Sequence, residues 1–290
     1  MTTVSDEIPA AAAGELALGG DLTVRRMGFG AMRITGEGIW GDPPDPPGAR
    51  ALLRHVVELG VNLIDTADAY GPEVSERLIR EALHPYPDEV VVATKGGLLR
   101  DGPGSWQRDA RPEHLREACE ASLRRLRLDC IDVYQLHAPD PNVPFEDSVG
   151  TLAELRSEGK VRHVGLCNVS EDQLDRARAI VPVASVQNRY NLTTRESEVV
   201  LKACEREEIG FMPWFPLGTG SLAEAGGKLD AVAGEHGATP AQVALAWLLQ
   251  HSRVMLPIPG TSSIGHLEEN VAAASIRLSD EEMAALDELG

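Results

Sequence analysis

Four side chains in this sequence stand at spacings that point to proton chemistry on an oxygen. Asp65 and Tyr70 lie in Leu63-Ile-Asp65-Thr-Ala-Asp68-Ala-Tyr70-Gly71, Lys95 in Thr94-Lys95-Gly96-Gly97, and His137 closes Tyr134-Gln-Leu-His137. A free phenol titrates near ~10, too high for efficient proton transfer near neutrality. An ammonium within hydrogen-bond reach favours the phenolate, so Lys95 is expected to tune Tyr70 downward. A buried lysine tends to lose its proton unless a carboxylate pairs with it, and Asp65 is the natural partner. His137 can donate to a carbonyl oxygen and orient it. Such a set protonates an oxyanion as charge develops there. It holds no electrophile or nucleophile of its own, which implies a cofactor such as a hydride donor. Singly, each residue has a plain structural reading: Tyr70 as loop packing, Lys95 as a surface cation, Asp65 as a turn cap. Their arrival at successive strand ends is what argues for chemistry.

The elements that must position these residues are legible as an alternation. Eight short apolar runs cover residues 27–32, 61–66, 90–95, 131–137, 163–168, 185–191, 210–216 and 254–259. Most are rich in Val and Ile and lack strict polar alternation, as parallel strands buried on both faces do. Amphipathic stretches separate them at 49–59, 75–83, 112–126, 145–157, 171–180, 195–207 and 241–250. Eight such units close into a (β/α)8 TIM barrel of the α/β class. A doubly wound sheet is the alternative, but no GxGxxG follows an early run. In a barrel the working face is the C-terminal end of the strands, where all four residues fall. Upstream, Leu16–Leu18, Gly19-Gly20-Asp21 and Leu22–Val24 read as a β-hairpin placed to plug the N-terminal end. Residues 1–14 are expected to be a mobile extension and 15–290 a single domain.

Composition bounds the function. The 290 residues carry 45 acidic and 27 basic side chains, a net charge of −18, which argues against nucleic-acid or anionic-membrane partners. No apolar stretch is long enough to span a membrane, and the N-terminus lacks the basic and apolar regions of a signal peptide. Cys119, Cys130, Cys167 and Cys204 form no metal-ligand spacing, so reduced thiols in a cytoplasmic protein with no metal are expected. A monomer or weak homo-oligomer fits the acidic surface.

The motifs GVNLIDTADAYG, VVATKGG, IDVYQLH, GKVRHVGLCN and SVQNRYN together resemble those of the aldo-keto reductase superfamily, from about residue 19 to the end. The resemblance implies a (β/α)8 barrel that reduces an aldehyde or ketone with NADPH. It implies Tyr70 as general acid, Lys95 and Asp65 as its support, and His137 as the carbonyl donor. It also implies cofactor contacts at Gly30, Ala31, Met32 and Asp65. The nicotinamide carboxamide would meet Cys167, Asn168 and Gln187, with Cys167 standing where the family has serine. Trp214 would stack on the nicotinamide, and the backbone of Phe215, Pro216, Leu217 and Gly218 would face the pyrophosphate. Gly260, Thr261, Ser262, His266, Glu269 and Asn270 would take the adenosine end. Many relatives carry a basic residue at the position of Gly260 and an arginine at that of His266. Their absence leaves the choice of NADP over NAD to a hydroxyl cluster and a helix N-terminus.

The stretches GIWGDPPDP, EALHPYPDEVVVATKGG, NRYNL and TPAQVALAWLLQHS are most similar to the bacterial branch that includes pyridoxal reductases (pyridoxine 4-dehydrogenases). An aromatic aldehyde such as pyridoxal is therefore the first expected substrate. The pocket is expected to be open, lined by Met32, Trp40, Trp106, Tyr70 and His137, because the chain ends just after a short helix at 280–289. No arginine stands out as a grip for a substrate carboxylate. Two rival readings remain: a barrel lyase or aldolase using Lys95 in a Schiff base, and a cofactor-loaded sensor with slow turnover.

Overall fold

The computed structural model describes residues 9–218 and 228–290. β1 (Glu15–Leu18) and β2 (Leu22–Arg25) pair antiparallel, with Leu18 opposite Leu22. The turn takes positive φ at Gly19 (60°) and Gly20 (89°), a region glycine enters without a steric penalty. The chain then runs β3 (Phe29–Gly30), α1 (Pro46–Glu58), β4 (Leu63–Asp65), α2 (Val74–Leu83) and β5 (Val91–Gly96). A rim hairpin follows, β6 (Leu98–Leu99) and β7 (Gln107–Arg108), then α3 (Pro112–Leu126), β8 (Ile131–Leu136) and α4 (Phe145–Ser157). After these come β9 (Val161–Cys167), α5 (Glu171–Arg178), β10 (Val183–Gln187), α6 (Glu198–Glu207) and β11 (Gly210–Phe211). The described chain ends with α7 (Lys228–Glu235), α8 (Pro240–His251), α9 (Ile264–Ala272) and α10 (Asp280–Asp287). α3 and α4 span the stretches expected from periodicity; α7 and the rim hairpin carry no sequence pattern that announced them.

Seven parallel strands form one sheet in the order β11-β10-β9-β8-β5-β4-β3. The eighth apolar run closes it. Phe211 donates to the Val254 carbonyl (2.8 Å) and accepts from Leu256 (2.8 Å), while Gly28 and Gly30 donate to Pro257 (2.9 Å) and Pro259 (3.4 Å) from the other side. Two prolines remove two donors from this run, so it makes an interrupted ladder where an ordinary strand was expected. The result is a (β/α)8 barrel.

Its lumen holds a core of its own. Leu18, Leu22 and Val24 of the hairpin pack with Leu63, Val91, Ala93, Val133, Met212, Leu256 and Ile258 from the barrel. The hairpin thus plugs the N-terminal end, and Asp21 in its turn holds Arg162 (2.8 Å) and His163 (2.5 Å) at the start of β9. A larger core lies between strands and helices. Of the expected mobile stretch 1–14, residues 1–8 lie outside the described residues. Pro9–Ala13 departs from expectation: it is a 3-10 helix with Ala10 and Ala13 buried. The Ala10 N–H donates to Leu59 (3.1 Å), because small side chains let the backbone approach the end of α1. No helix among the described residues is long and apolar enough to cross a membrane.

The plug yields a test. A β-carbon on Gly19 would run into the His163 ring, whereas one on Gly20 meets open space. Gly19→Ala should lower unfolding free energy by about 1–3 kcal/mol and Gly20→Ala by less, both read from urea titrations. Equal effects would show that the turn does not press on β9.

Candidate active site

The C-terminal ends of β4, β5 and β8 deliver the four chemical residues to one place. The Lys95 side chain is 0% exposed, and its ammonium donates to Asp65 Oδ1 (2.8 Å), Asp65 Oδ2 (2.7 Å) and the Thr66 carbonyl (2.8 Å). It also reaches the Tyr70 hydroxyl at 3.4 Å. Asp65 Oδ1 accepts further bonds from Gln187 (2.8 Å) and Gln135 (3.3 Å). The Tyr70 ring stands edge-on to His137, with centroids 5.8 Å apart, and to Trp106 at 6.5 Å.

Burial presses the Lys95 ammonium toward neutrality, but Asp65, then Tyr70 and Cys167, together raise the group above its ordinary value. Lys95 therefore stays charged. For Tyr70, burial is the largest influence and raises the phenol to about 12; Lys95 pulls it down, and Asp65 pushes it back up. The expected net lowering of the phenol is thus overturned, because burial outweighs Lys95 and Asp65 offsets part of the lysine charge. Burial, then Lys95 and Arg100, hold His137 well below its usual range, so its imidazole is neutral at pH 7. His137 Nδ1 is buried without a partner.

The loop that carries Tyr70 is braced from behind. The Thr66 and Ser75 hydroxyls bond each other (2.7 Å), and Ser75 donates onward to the Ala31 carbonyl (3.3 Å). The Glu73 N–H donates to the Asp68 carbonyl at 2.7 Å. Glu76, fully buried on α2, accepts from Thr94 (2.6 Å) and Arg125 (2.6 Å). Burial, then repulsion from Glu76, pushes the Asp68 carboxyl well above its usual range.

A second group of residues lies beside the tetrad. Cys167 pairs with Gln187 across β9 and β10, and the Asn168 N–H donates to the Gln187 carbonyl (3.0 Å). Asn168 sits at φ 58°. Its side chain donates to the His137 carbonyl (3.0 Å) and accepts from the Trp214 indole (3.0 Å). The Cys167 thiol donates to Gln135 (3.1 Å), so it is spent inside the wall. Residues 215–218 make a tight turn in which Gly218 donates to the Phe215 carbonyl (2.9 Å), with Phe215 at φ 53°. Pro216 is buried and Leu217 half-buried. Across the mouth, Gly30 and Gly260 lie backbone to backbone: a β-carbon on Gly260 would sit 2.6 Å from the Gly30 oxygen. Ala31, Thr261 and Asn270 are buried, whereas Ser262, His266 and Glu269 are exposed. Met32 is half-buried, and Trp40 bridges to Gly71, the residue after Tyr70. No His, Cys, Asp or Glu cluster among the described residues could hold a metal ion.

A family model described as the aldo/keto reductase family matches residues 26–290. The chain belongs to the aldo/keto reductase family. It is 50% identical over 289 residues to an uncharacterized oxidoreductase of Schizosaccharomyces pombe, covering 100% of this chain and 94% of that protein. It is 43% identical over 275 residues to pyridoxine 4-dehydrogenase of Escherichia coli, covering 92% and 96%. Among solved structures, glycerol dehydrogenase from Gluconobacter oxydans superposes with a TM-score of 0.87 at 28% identity, over 96% of this chain and 95% of that one. An aldo-keto reductase from Klebsiella pneumoniae in complex with NADPH gives 0.81 at 28% identity, over 95% and 94%.

Within this aldo-keto reductase, two contributors to the site escape a reading of the sequence. Gln135 ties Asp65 to Cys167; its position two residues before His137 was the available signal, since alternate strand residues share a face. Arg100 packs on Trp106, and only the fold brings it there.

The Lys95–Asp65 pair supplies a stability test. Asp65→Asn strands a buried ammonium and should lower stability by about 3–5 kcal/mol. Lys95→Met should lower it less, because Gln135 and Gln187 still donate to Asp65. Asp65→Asn/Lys95→Met should be more stable than the sum of the two predicts, measured as a double-mutant cycle in urea. Strict additivity would mean that the two charges are not coupled.

Proposed function

We propose that this aldo-keto reductase reduces an aldehyde or ketone to an alcohol with NADPH, and that residues 15–290 act as one catalytic unit. The observation that carries the reading is the Tyr70 hydroxyl set 3.4 Å from an ammonium that is itself locked on a buried carboxylate. Tyr70 gives its proton to the carbonyl oxygen. The neutral His137 donates a hydrogen bond to the same oxygen and orients it. As negative charge passes to the phenol, Lys95 stabilises it, and Asp65 keeps Lys95 from surrendering its own proton. NADPH, when bound, supplies the hydride.

The residues present fit that cofactor. The half-exposed Trp214 indole is held by Asn168 at a fixed angle and offers a stacking face. Asn168 uses one donor and one acceptor inside the protein, which leaves one of each for a carboxamide. Gln187 stands beside it, and Cys167 contributes shape in place of the family hydroxyl. The 215–218 turn would face the pyrophosphate. Thr261, Ser262, His266, Glu269 and Asn270 would take the adenosine end, with Gly30, Ala31, Met32 and Gly260 admitting the chain between. NADPH is preferred here because the Klebsiella neighbour is solved with it. Pyridoxal is the first aldehyde to test, since the Escherichia coli relative is a pyridoxine 4-dehydrogenase and the mouth is walled by Trp106. A Schiff-base role for Lys95 is disfavoured: its ammonium stays charged and its donors are all engaged.

Absorbance-monitored NADPH oxidation with pyridoxal and other aldehydes tests the reading, beside Tyr70→Phe. The variant should lose about 10²–10⁴ in kcat. NADPH binding without turnover would instead favour a sensor. The phenol near 12 also sets a pH dependence. The acid form serves reduction and is lost only as pH rises through about 12, so reduction stays level from neutral into alkaline solution. Alcohol oxidation needs the phenolate and should climb about tenfold per pH unit over the same range. A reduction rate that falls away near pH 8 would contradict the raised phenol.

A further inference from the structure

The rim hairpin carries a cation with an unusual set of partners. Arg100 donates to four main-chain carbonyls: Nη1 to Ile39 (3.1 Å) and Ala69 (3.2 Å), Nη2 to Gly38 (3.0 Å) and Gly102 (3.3 Å). These belong to three segments, namely the loop after β3, the loop that carries Tyr70, and the loop of Arg100 itself. The guanidinium carbon lies 3.8 Å from the Trp106 ring centre and 5.8 Å from that of Trp40. Trp106 in turn stands edge-on to Tyr70 and 6.3 Å from His137. One side chain therefore laces three rim loops and backs the aromatic wall nearest the proton donor.

Its charge is not cancelled. No carboxylate lies within ion-pair distance of Arg100 among the described residues, and its Nε–H is buried without a partner. Asp101 accepts from Gln107 and Asp109 pairs with Arg111, so neither bonds Arg100. Carbonyl dipoles fix a guanidinium in place but leave its full charge; only a counter-ion removes it. Lys95, by contrast, is balanced by Asp65. Arg108, exposed on the same hairpin, adds a second cation. The field reaches the reacting centre, since Arg100 is among the charges that keep His137 neutral. In a chain of net charge −18, this guanidinium stands beside Trp106 without a paired carboxylate.

We propose that Arg100 is a specificity-determining residue: it fixes Trp106 beside Tyr70 and His137, and its unbalanced charge selects carbonyl compounds that carry an anionic group, carboxylate or phosphate, away from the reacting carbon. The proposal rests on the reductase reading above. It goes beyond the sequence reading, in which no arginine stood out as a grip for a substrate carboxylate. The signal was invisible in sequence, because Arg100 reaches the mouth only when three loops fold around it.

The test compares two matched aldehydes, 4-formylbenzoate and its neutral methyl ester, in the wild type, Arg100→Met and Arg100→Lys with NADPH. The wild type should favour the acid by about tenfold in kcat/KM, through KM, and the preference should shrink with added salt. Arg100→Met should erase it by raising KM for the acid about tenfold more than for the ester, which loses only the support that Arg100 gives to Trp106. Arg100→Lys should keep part of the charge preference yet raise KM for both, since an ammonium cannot bridge four carbonyls and stack flat. No preference in the wild type, or equal losses on both aldehydes in Arg100→Met, would overturn the proposal. If neither aldehyde is reduced, the reductase reading fails separately, and tryptophan fluorescence still decides the point. Tighter binding of 4-formylbenzoate to the wild type than to Arg100→Met supports the cationic mouth; equal binding refutes it. Should Arg100→Met fail to fold, the wild-type preference and its salt dependence decide alone.

Discussion

The whole site depends on one buried ion pair. An ammonium with no solvent exposure survives only if its charge is answered nearby, and Lys95 finds both oxygens of Asp65 together with the Thr66 carbonyl. This need dictates where strands β4 and β5 must stand relative to each other. Their parallel register, Leu63 opposite Val91 and Asp65 opposite Ala93, puts the two side chains together. It also dictates the second layer. Asp65 retains acceptor capacity toward the lumen, and two glutamines from β8 and β10 occupy it. Four of the barrel strands are thus tied through one carboxylate.

The same pair explains why the phenol is not made acidic. Burial raises Tyr70 more than the ammonium 3.4 Å away lowers it, and Asp65 offsets part of what Lys95 does. What the arrangement offers is a reserve of positive charge that acts when charge develops on the phenol oxygen. Such a site keeps the phenol protonated at neutral pH. The geometry is kept by parts that touch no substrate, including the Thr66–Ser75 bond and Glu76 held by Thr94 and Arg125.

Charge balance also separates the two sides of the mouth. Around the tetrad, Asp65 cancels Lys95, and the neutral His137 adds nothing. On the rim hairpin the guanidinium of Arg100 is solvated by carbonyls and stays uncancelled. The Trp214 side is governed by amides: Asn168, in a left-handed backbone conformation, joins the indole to the main chain of His137. Trp214 is therefore linked to the His137 backbone by hydrogen bonds, whereas Trp106 meets Tyr70, His137 and Arg100 through ring contacts.

Much of this was legible in the residues. The alternation of Val- and Ile-rich runs with amphipathic stretches determined the barrel, because strands covered on both faces need continuous apolar side chains. The two glycines after Leu18 determined the hairpin, because a tight turn needs positive φ. Asp65, Tyr70, Lys95 and His137 were recognisable because each follows directly on a strand pattern, so their place on the rim is a local property. The interrupted eighth strand, with Pro257 and Pro259, was read as an ordinary one, since the bonds that close it come from Gly28 and Gly30 at the far end of the chain. The sign of the Tyr70 shift, the spending of the Cys167 thiol on Gln135, and the position of Arg100 were decided only by tertiary structure. Each depends on burial, or on partners drawn from several strands and loops. Sequence determines which groups are present and on which face of an element they stand; only packing determines which charges meet and which remain unanswered.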